Sequence, residues 1–287
     1  MITRRYKVHL ITFATGEFSS AQQRLAHSAL EFGRIDFVCT FSPEDIQHTT
    51  FYTTHRGILD APRGAGYWLW KPFLILEKLT ALADGDFVIY LDCGRRNGYR
   101  FLRAVDPLLE WAETFGDGAM PGVSVPHYGS NAEWTKRDCF VYMDCDNERF
   151  WQHPQIQGTC SVWKKTRATT DFIARWLRYC CDPRILTDAP NTCGLDNLPG
   201  FAEHRHDQSV LTNLVIASGR PFLDGSVGGL IGWLRPTLIG NPEFQKDPNN
   251  VILLARGWSA GMIYGMTRLR RSFPSWLPSS LADQRMI

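Results

Sequence analysis

The sequence predicts an α/β protein: one domain with a mixed, mostly parallel central sheet flanked by helices. Three observations carry that expectation. The chain opens as strand, helix, strand: an apolar run at 6–14, a helical stretch at 21–32 and a second strand at 35–40. A short helix over 71–83 then feeds the apolar run Phe87–Leu91, which stops on Asp92. Two later helical stretches, 170–181 and 210–218, follow further apolar segments. Residues 1–255 read as this single domain and 256–287 as a basic, aromatic C-terminal extension.

The elements follow in order. The run 6–14 ends at the turn signal Thr15-Gly16, and Ser19-Ser20 caps the helix after it. Ser42-Pro43-Glu44-Asp45 starts a short helical piece, whereas 51–65 has no clean period. Lys71-Pro72 suits a first helical turn, where proline is tolerated. Asp84-Gly85-Asp86 is a turn before Phe87–Leu91. A helix is expected over 101–114, a strand over 123–126 and a mixed helix over 131–144. Residues 155–163 read as one strand with a glycine inside it, a mark of close approach by a ligand or another backbone. Residues 182–200 form a Pro/Gly/Asn-rich loop, after which His204–Ser209 leads into the 210–218 helix. Pro221-Phe222-Leu223 and 251–254 read as short strands.

Composition excludes several classes. Lys and Arg number 31 against 29 Asp and Glu, so bulk charge gives no footprint for nucleic acid. No run approaches the ~20 apolar residues of a membrane span, which argues against an integral membrane protein. The basic, aromatic tail leaves peripheral contact with a membrane surface open beside a packed or solvated extension. The start of the chain reads as a buried strand rather than a secretion signal, and the eight cysteines form no CxxC pair. Reduced thiols and a cytoplasmic setting are therefore expected.

A carboxylate where a buried strand stops stands at the carboxyl edge of the sheet, where open α/β folds bind ligands. Asp92 is thus a candidate catalytic and ligand-binding residue, with Cys93, Gly94 and Arg95 lining the same edge. Thr12, Phe13, Ala14 and Thr15 end the first strand at that edge. Lys71 sits at a helix start, where a cation is unfavourable unless an anion partners it. Trp68 and Trp70 either stack on a ring of the ligand or enter the core. Asp207 either caps its helix or works in a site, and Gln208 follows it. His204 and His206, two apart, either share a metal ion or line the cleft.

The ordered series GAGYWLWKP, DGDFVIYLDCG, QIQGTCSVWKKT and HRHDQSVLTNL resembles GT-A-fold glycosyltransferases over residues 6–214. More narrowly it is similar to polysaccharide-type glycosyltransferases with GYWxWKP, YxDxG and HDQS motifs. The resemblance implies a Rossmann-like, GT-A-like fold that takes a nucleotide-sugar donor and a saccharide or lipid-linked acceptor. It implies a divalent metal, Mn²⁺ or Mg²⁺, at a DxD motif. Asp92 matches the first aspartate of that motif, but its third position here is Gly94. A hard cation would then have to be completed by His204, His206 or Asp207, or be replaced at the diphosphate by Lys71, Arg95 or Arg96. Asp207-Gln208 resembles a signature in which the aspartate meets the donor sugar, and also the position of a catalytic base. Two alternatives stay open: a binding relative without catalysis, motivated by the missing second carboxylate, and a transferase that modifies nucleic acid.

Overall fold

The computed structural model describes residues 4–94, 99–101, 104–224, 237–238 and 254–256. Arg95, Arg96 and all of the expected C-terminal extension beyond Arg256 lie outside the described residues.

Strand β1 (Val8–Phe13) is buried along its whole length. Helix α1 (Ser19–Glu31) returns the chain to β2 (Phe37–Phe41), which pairs parallel to β1. Asp45 accepts hydrogen bonds from the Ser42 amide and hydroxyl, a capping box that starts α2 (Pro43–Gln47). The stretch without a clean period contains α3 (Thr50–Leu59), interrupted at His55 by non-helical backbone angles. Its polar residues lie on several sides, which hides a helical period. The chain turns tightly through α4 (Gly64–Tyr67) into α5 (Trp70–Thr80) and then β3 (Phe87–Leu91). At Gly66, a Cβ would fall 2.6 Å from the Leu59 backbone, so only glycine lets α4 close onto the end of α3.

The chain continues through β4 (Tyr99–Phe101), α6 (Asp106–Thr114), β5 (Ala119–Met120) and β6 (Val123–Ser124). Thus the segment expected as one helix from 101 opens as a strand. A 3₁₀ turn, α7 (Arg137–Tyr142) and α8 (Glu148–Trp151) replace the mixed helix expected over 131–144. Next come β7 (Ile156–Gln157), β8 (Cys160–Lys164), α9 (Arg167–Cys180), α10 (Pro183–Leu186) and α11 (Asp207–Ser218). Short strands β9 (Leu223–Asp224), β10 (Thr237–Leu238) and β11 (Leu254–Arg256) complete the described elements. The single strand expected over 155–163 is two strands. Gly158 and Thr159 separate them, and each half joins a different sheet.

The central sheet has the order β2-β1-β3-β8-β5. β1, β2 and β3 are parallel, and β8 runs against both β3 and β5, so four of the five strands share a direction. This is the mixed, mostly parallel sheet that the sequence predicts. Alternation along the strands separates two cores. Val8 and Leu10 of β1 and Phe87, Ile89 and Leu91 of β3 pack with residues of α1 and α6. Ile11, Phe13, Val88 and Tyr90 face the other way and pack with α5, α9 and α11. All eight cysteines are free. Among the described residues, no helix is long and apolar enough to cross a membrane.

Candidate functional site

Period two along β3 puts Tyr90 and Asp92 on the same face. That face looks toward α5 and α11, and the first turns of both helices open at the carboxyl end of β3. Lys71 is the second residue of α5 and is buried; Asp207 is the first residue of α11 and is also buried. The Lys71 ammonium stands 2.9 Å from Asp207 Oδ2 and 3.9 Å from Asp92 Oδ1. It also donates to the Gly158 carbonyl at 3.2 Å. The Tyr90 hydroxyl hydrogen-bonds Asp92 Oδ1, and the Asp92 amide donates to the Thr159 carbonyl at 2.9 Å. One strand end, two helix starts and the break between β7 and β8 therefore converge on one ammonium and two carboxylates.

The electrostatics follow from burial. A lone buried ammonium at a helix N-terminus would be costly on both counts. Burial pushes the Lys71 pKa down, but Asp207 and Asp92 outweigh it and leave it raised. Asp207 is favoured by the α11 dipole, yet burial dominates and pushes its carboxyl up to about 6 despite Lys71. Burial, then Asp92, raises the Tyr90 phenol well above its ordinary value, so it stays a donor. Asp92 differs from its partner in access: a third of its side chain is exposed, against 4% for Asp207.

The other expected site residues divide. Gly94 has φ 74°, in the left-handed region that favours glycine. The Cys93 thiol is buried, donates to the Phe13 carbonyl and is pushed up to about 11 by burial, which leaves it an inert wall. Trp70 is corrected to a core residue. It is 4% exposed, stacks on Phe13 at 3.9 Å and donates to the Gly64 carbonyl, so neither ring is free to meet a ligand. Trp68 is half-buried beside His206. Thr12 and Ala14 are buried, and Thr15 is half-exposed at the edge. Gln208 turns inward: it accepts from the Gly158 amide and donates to Gln155, tying α11 to the β7–β8 break. Tyr90 was missed by reading the sequence, although its place two residues before Asp92 is the signal that finds it.

His204 and His206 serve the α10 segment. His204 Nε2 donates to the Ile185 carbonyl and Nδ1 accepts from the Lys136 amide, so both nitrogens are engaged. His206 Nδ1 donates to the Leu186 carbonyl. Burial lowers both imidazoles and keeps them neutral. Among the described residues no three His, Cys, Asp or Glu side chains converge to hold a metal ion. The expected set of Asp92, His204 and His206 therefore does not fit a divalent cation: His204 has no free lone pair, and an ammonium already bridges the carboxylates.

An open α/β sheet with a buried acid–base cluster at its carboxyl edge defines a class of ligand-binding or catalytic α/β proteins. No family model and no curated protein matches this sequence. Among solved structures, the apo form of the bifunctional glycosyltransferase WbbM aligns over 93% of this chain with a TM-score of 0.45 and 10% identity. The chain spans 45% of that protein's length.

Proposed function

We propose that the chain is a nucleotide-sugar-dependent glycosyltransferase acting on a hydroxyl of a saccharide or lipid-linked acceptor. The observation that carries this reading is the Lys71 ammonium held between Asp207 and Asp92 at the carboxyl edge of the sheet. The resemblance of the GYWLWKP, YLDCG and HDQS segments adds to it.

Glycosyl transfer breaks the bond between the anomeric carbon and the diphosphate and forms one to the acceptor oxygen. The nucleoside diphosphate leaves with added negative charge, and the acceptor hydroxyl gives up a proton. Lys71 supplies a fixed positive charge for the leaving diphosphate, with no metal step. Asp207, titrating near neutrality, suits the proton acceptor, since a base works best with a pKa close to the working pH. The same carboxylate also suits contact with the donor sugar, and the two roles predict opposite stereochemical outcomes. Asp92, the more exposed carboxylate, faces the donor, and Tyr90 holds its orientation as a positioning residue.

The test is donor turnover with UDP-, GDP-, CMP- and dTDP-sugars, with and without Mn²⁺, on wild type and on Asp207→Asn. Removal of a general base lowers the rate by about 10²–10⁴-fold, and that loss is expected with the donor that wild type accepts. Unchanged turnover in both Asp207→Asn and Asp92→Ala would sink the proposal.

A further inference from the structure

A cavity of about 730 Å³ opens between α3 and the segment after α10, separate from the Lys71 cluster. We infer that it is a binding site for a neutral oligosaccharide. Its walls present Thr54 and His55 of α3, Tyr67 at the end of α4, and Thr187 and Asp188 beyond α10. No lysine or arginine lines it. The Asp188 carboxylate on this wall is paired with Arg63, which Glu203 also engages, so the lining offers a diphosphate no uncommitted cation.

The lining suits uncharged hydroxyls. Burial alone lowers the His55 imidazole, with no hydrogen bond or charged neighbour contributing, so the ring is neutral and offers one donor and one acceptor. Asp188 pairs with Arg63 at 3.4 Å yet keeps over a third of its side chain open to accept hydroxyl protons. Tyr67 has a left-handed backbone (φ 53°) and brings a half-buried aromatic ring to the cavity, a platform for the apolar face of a sugar.

Gly57 lies on the same wall. It lies inside α3, where glycine is a poor helix former. No positive φ calls for it, and a Cβ built there meets nothing within 4 Å. Gly57 follows the interruption of α3 at His55 and leaves the helix backbone bare on the cavity wall, open to close approach by a sugar ring.

The site also connects to the cluster. The Tyr67 ring lies 4.9 Å from that of His206, the residue that precedes Asp207. Under the glycosyltransferase reading, on which the biological role rests, this places an acceptor chain beside the transfer residues.

The experiment is saturation-transfer NMR with maltotetraose, cellotetraose, laminaritetraose and mannotetraose, together with melting curves, on wild type, Gly57→Ala and Gly57→Leu. At least one oligosaccharide is expected to bind wild type. Gly57→Ala should melt higher than wild type, because alanine favours the helix, and yet bind more weakly. Gly57→Leu should lose about tenfold or more in affinity, as expected when a contact subsite is filled. Failure of all four sugars to bind wild type, or undiminished binding by Gly57→Leu, overturns the inference. Donor turnover is measured separately. Sugar binding without turnover rejects the glycosyltransferase reading and keeps the site; turnover without sugar binding does the reverse.

Discussion

Segment 204–206 and the first turn of α11 are joined by one peptide bond, and they spend their polar groups differently. His204 gives both ring nitrogens, and His206 its Nδ1, to backbone atoms of Lys136, Ile185 and Leu186, which holds the α10 segment against the body of the fold. Asp207 and Lys71 direct their charges at each other and at Asp92, beside the edge of the sheet. The switch between the two happens at His206, whose backbone (φ 51°, ψ −120°) is left-handed and strained for a residue with a side chain. A run of polar residues is therefore not a unit of function. What decides each residue's role is whether its polar atoms are consumed by the backbone or left for other side chains and a ligand.

The largest effect that tests this contrast is expected at Lys71. Lys71→Met removes the bridging cation and leaves Asp207 buried without its partner. Breaking a buried pair costs about 3–5 kcal/mol of stability, and losing a fixed charge at a developing anion costs about 10²–10³-fold in kcat. The double variant Lys71→Met with Asp207→Asn should recover much of the stability, since neither charge remains unpaired, but none of the activity. Denaturant unfolding and donor turnover on the same preparations check both. If the double variant stays as unstable as Lys71→Met, the ion pair is not what the cluster contributes to the fold.

The other side of the contrast is His204. His204→Ala orphans the Ile185 carbonyl and the Lys136 amide, at about 1–3 kcal/mol per buried group. Turnover by the folded fraction should be unchanged, and a chelator should not distinguish the variant from wild type. A specific loss of Mn²⁺-stimulated turnover would instead return His204 to the role of a metal ligand.

The sequence made half of this legible. Phe87–Leu91 and Asp92 stand out because an uninterrupted apolar run of this length, ending on a carboxylate, fits a buried strand that stops at the sheet edge and little else. Lys71 stands out because a cation at a helix start needs a partner, but which partner could not be read, since Asp207 arrives from across the fold. The strand order around β8 was equally hidden. A run such as 155–163 shows a period of two whether or not its halves join the same sheet, and the contact of the break at Gly158 with Lys71 and Gln208 comes from parts of the chain far away in sequence. Helix α3 is hard to read because its backbone is interrupted at His55 and its threonines and glycine border a cavity while Ile58 enters the core. Histidine spacing is the same for a metal ligand and for a backbone clasp, so the sequence leaves the role of His204 open.

The smallest expected effect concerns pH, and it separates the two regions by sign. Asp207 titrates at about 6 in the fold against an ordinary 3.8. The folded chain takes up that proton before the unfolded chain does, so this group adds stability as pH falls from about 6 toward 3.8. His204 and His206 are lowered from 6.5, so the unfolded chain takes up their protons first and stability is lost as pH falls below 6.5. Activity that needs an ionised Asp207 should fall about tenfold per pH unit below about 6, as for any single ionisation. Melting curves of wild type and Asp207→Asn across this range expose the two signs. With Asp207 gone, acidification should destabilise the variant more steeply than wild type, because the carboxyl contribution that opposes the histidines has been removed. Parallel curves for the two proteins would show that Asp207 does not carry the raised pKa, and with it would go the assignment of Asp207 as the proton acceptor.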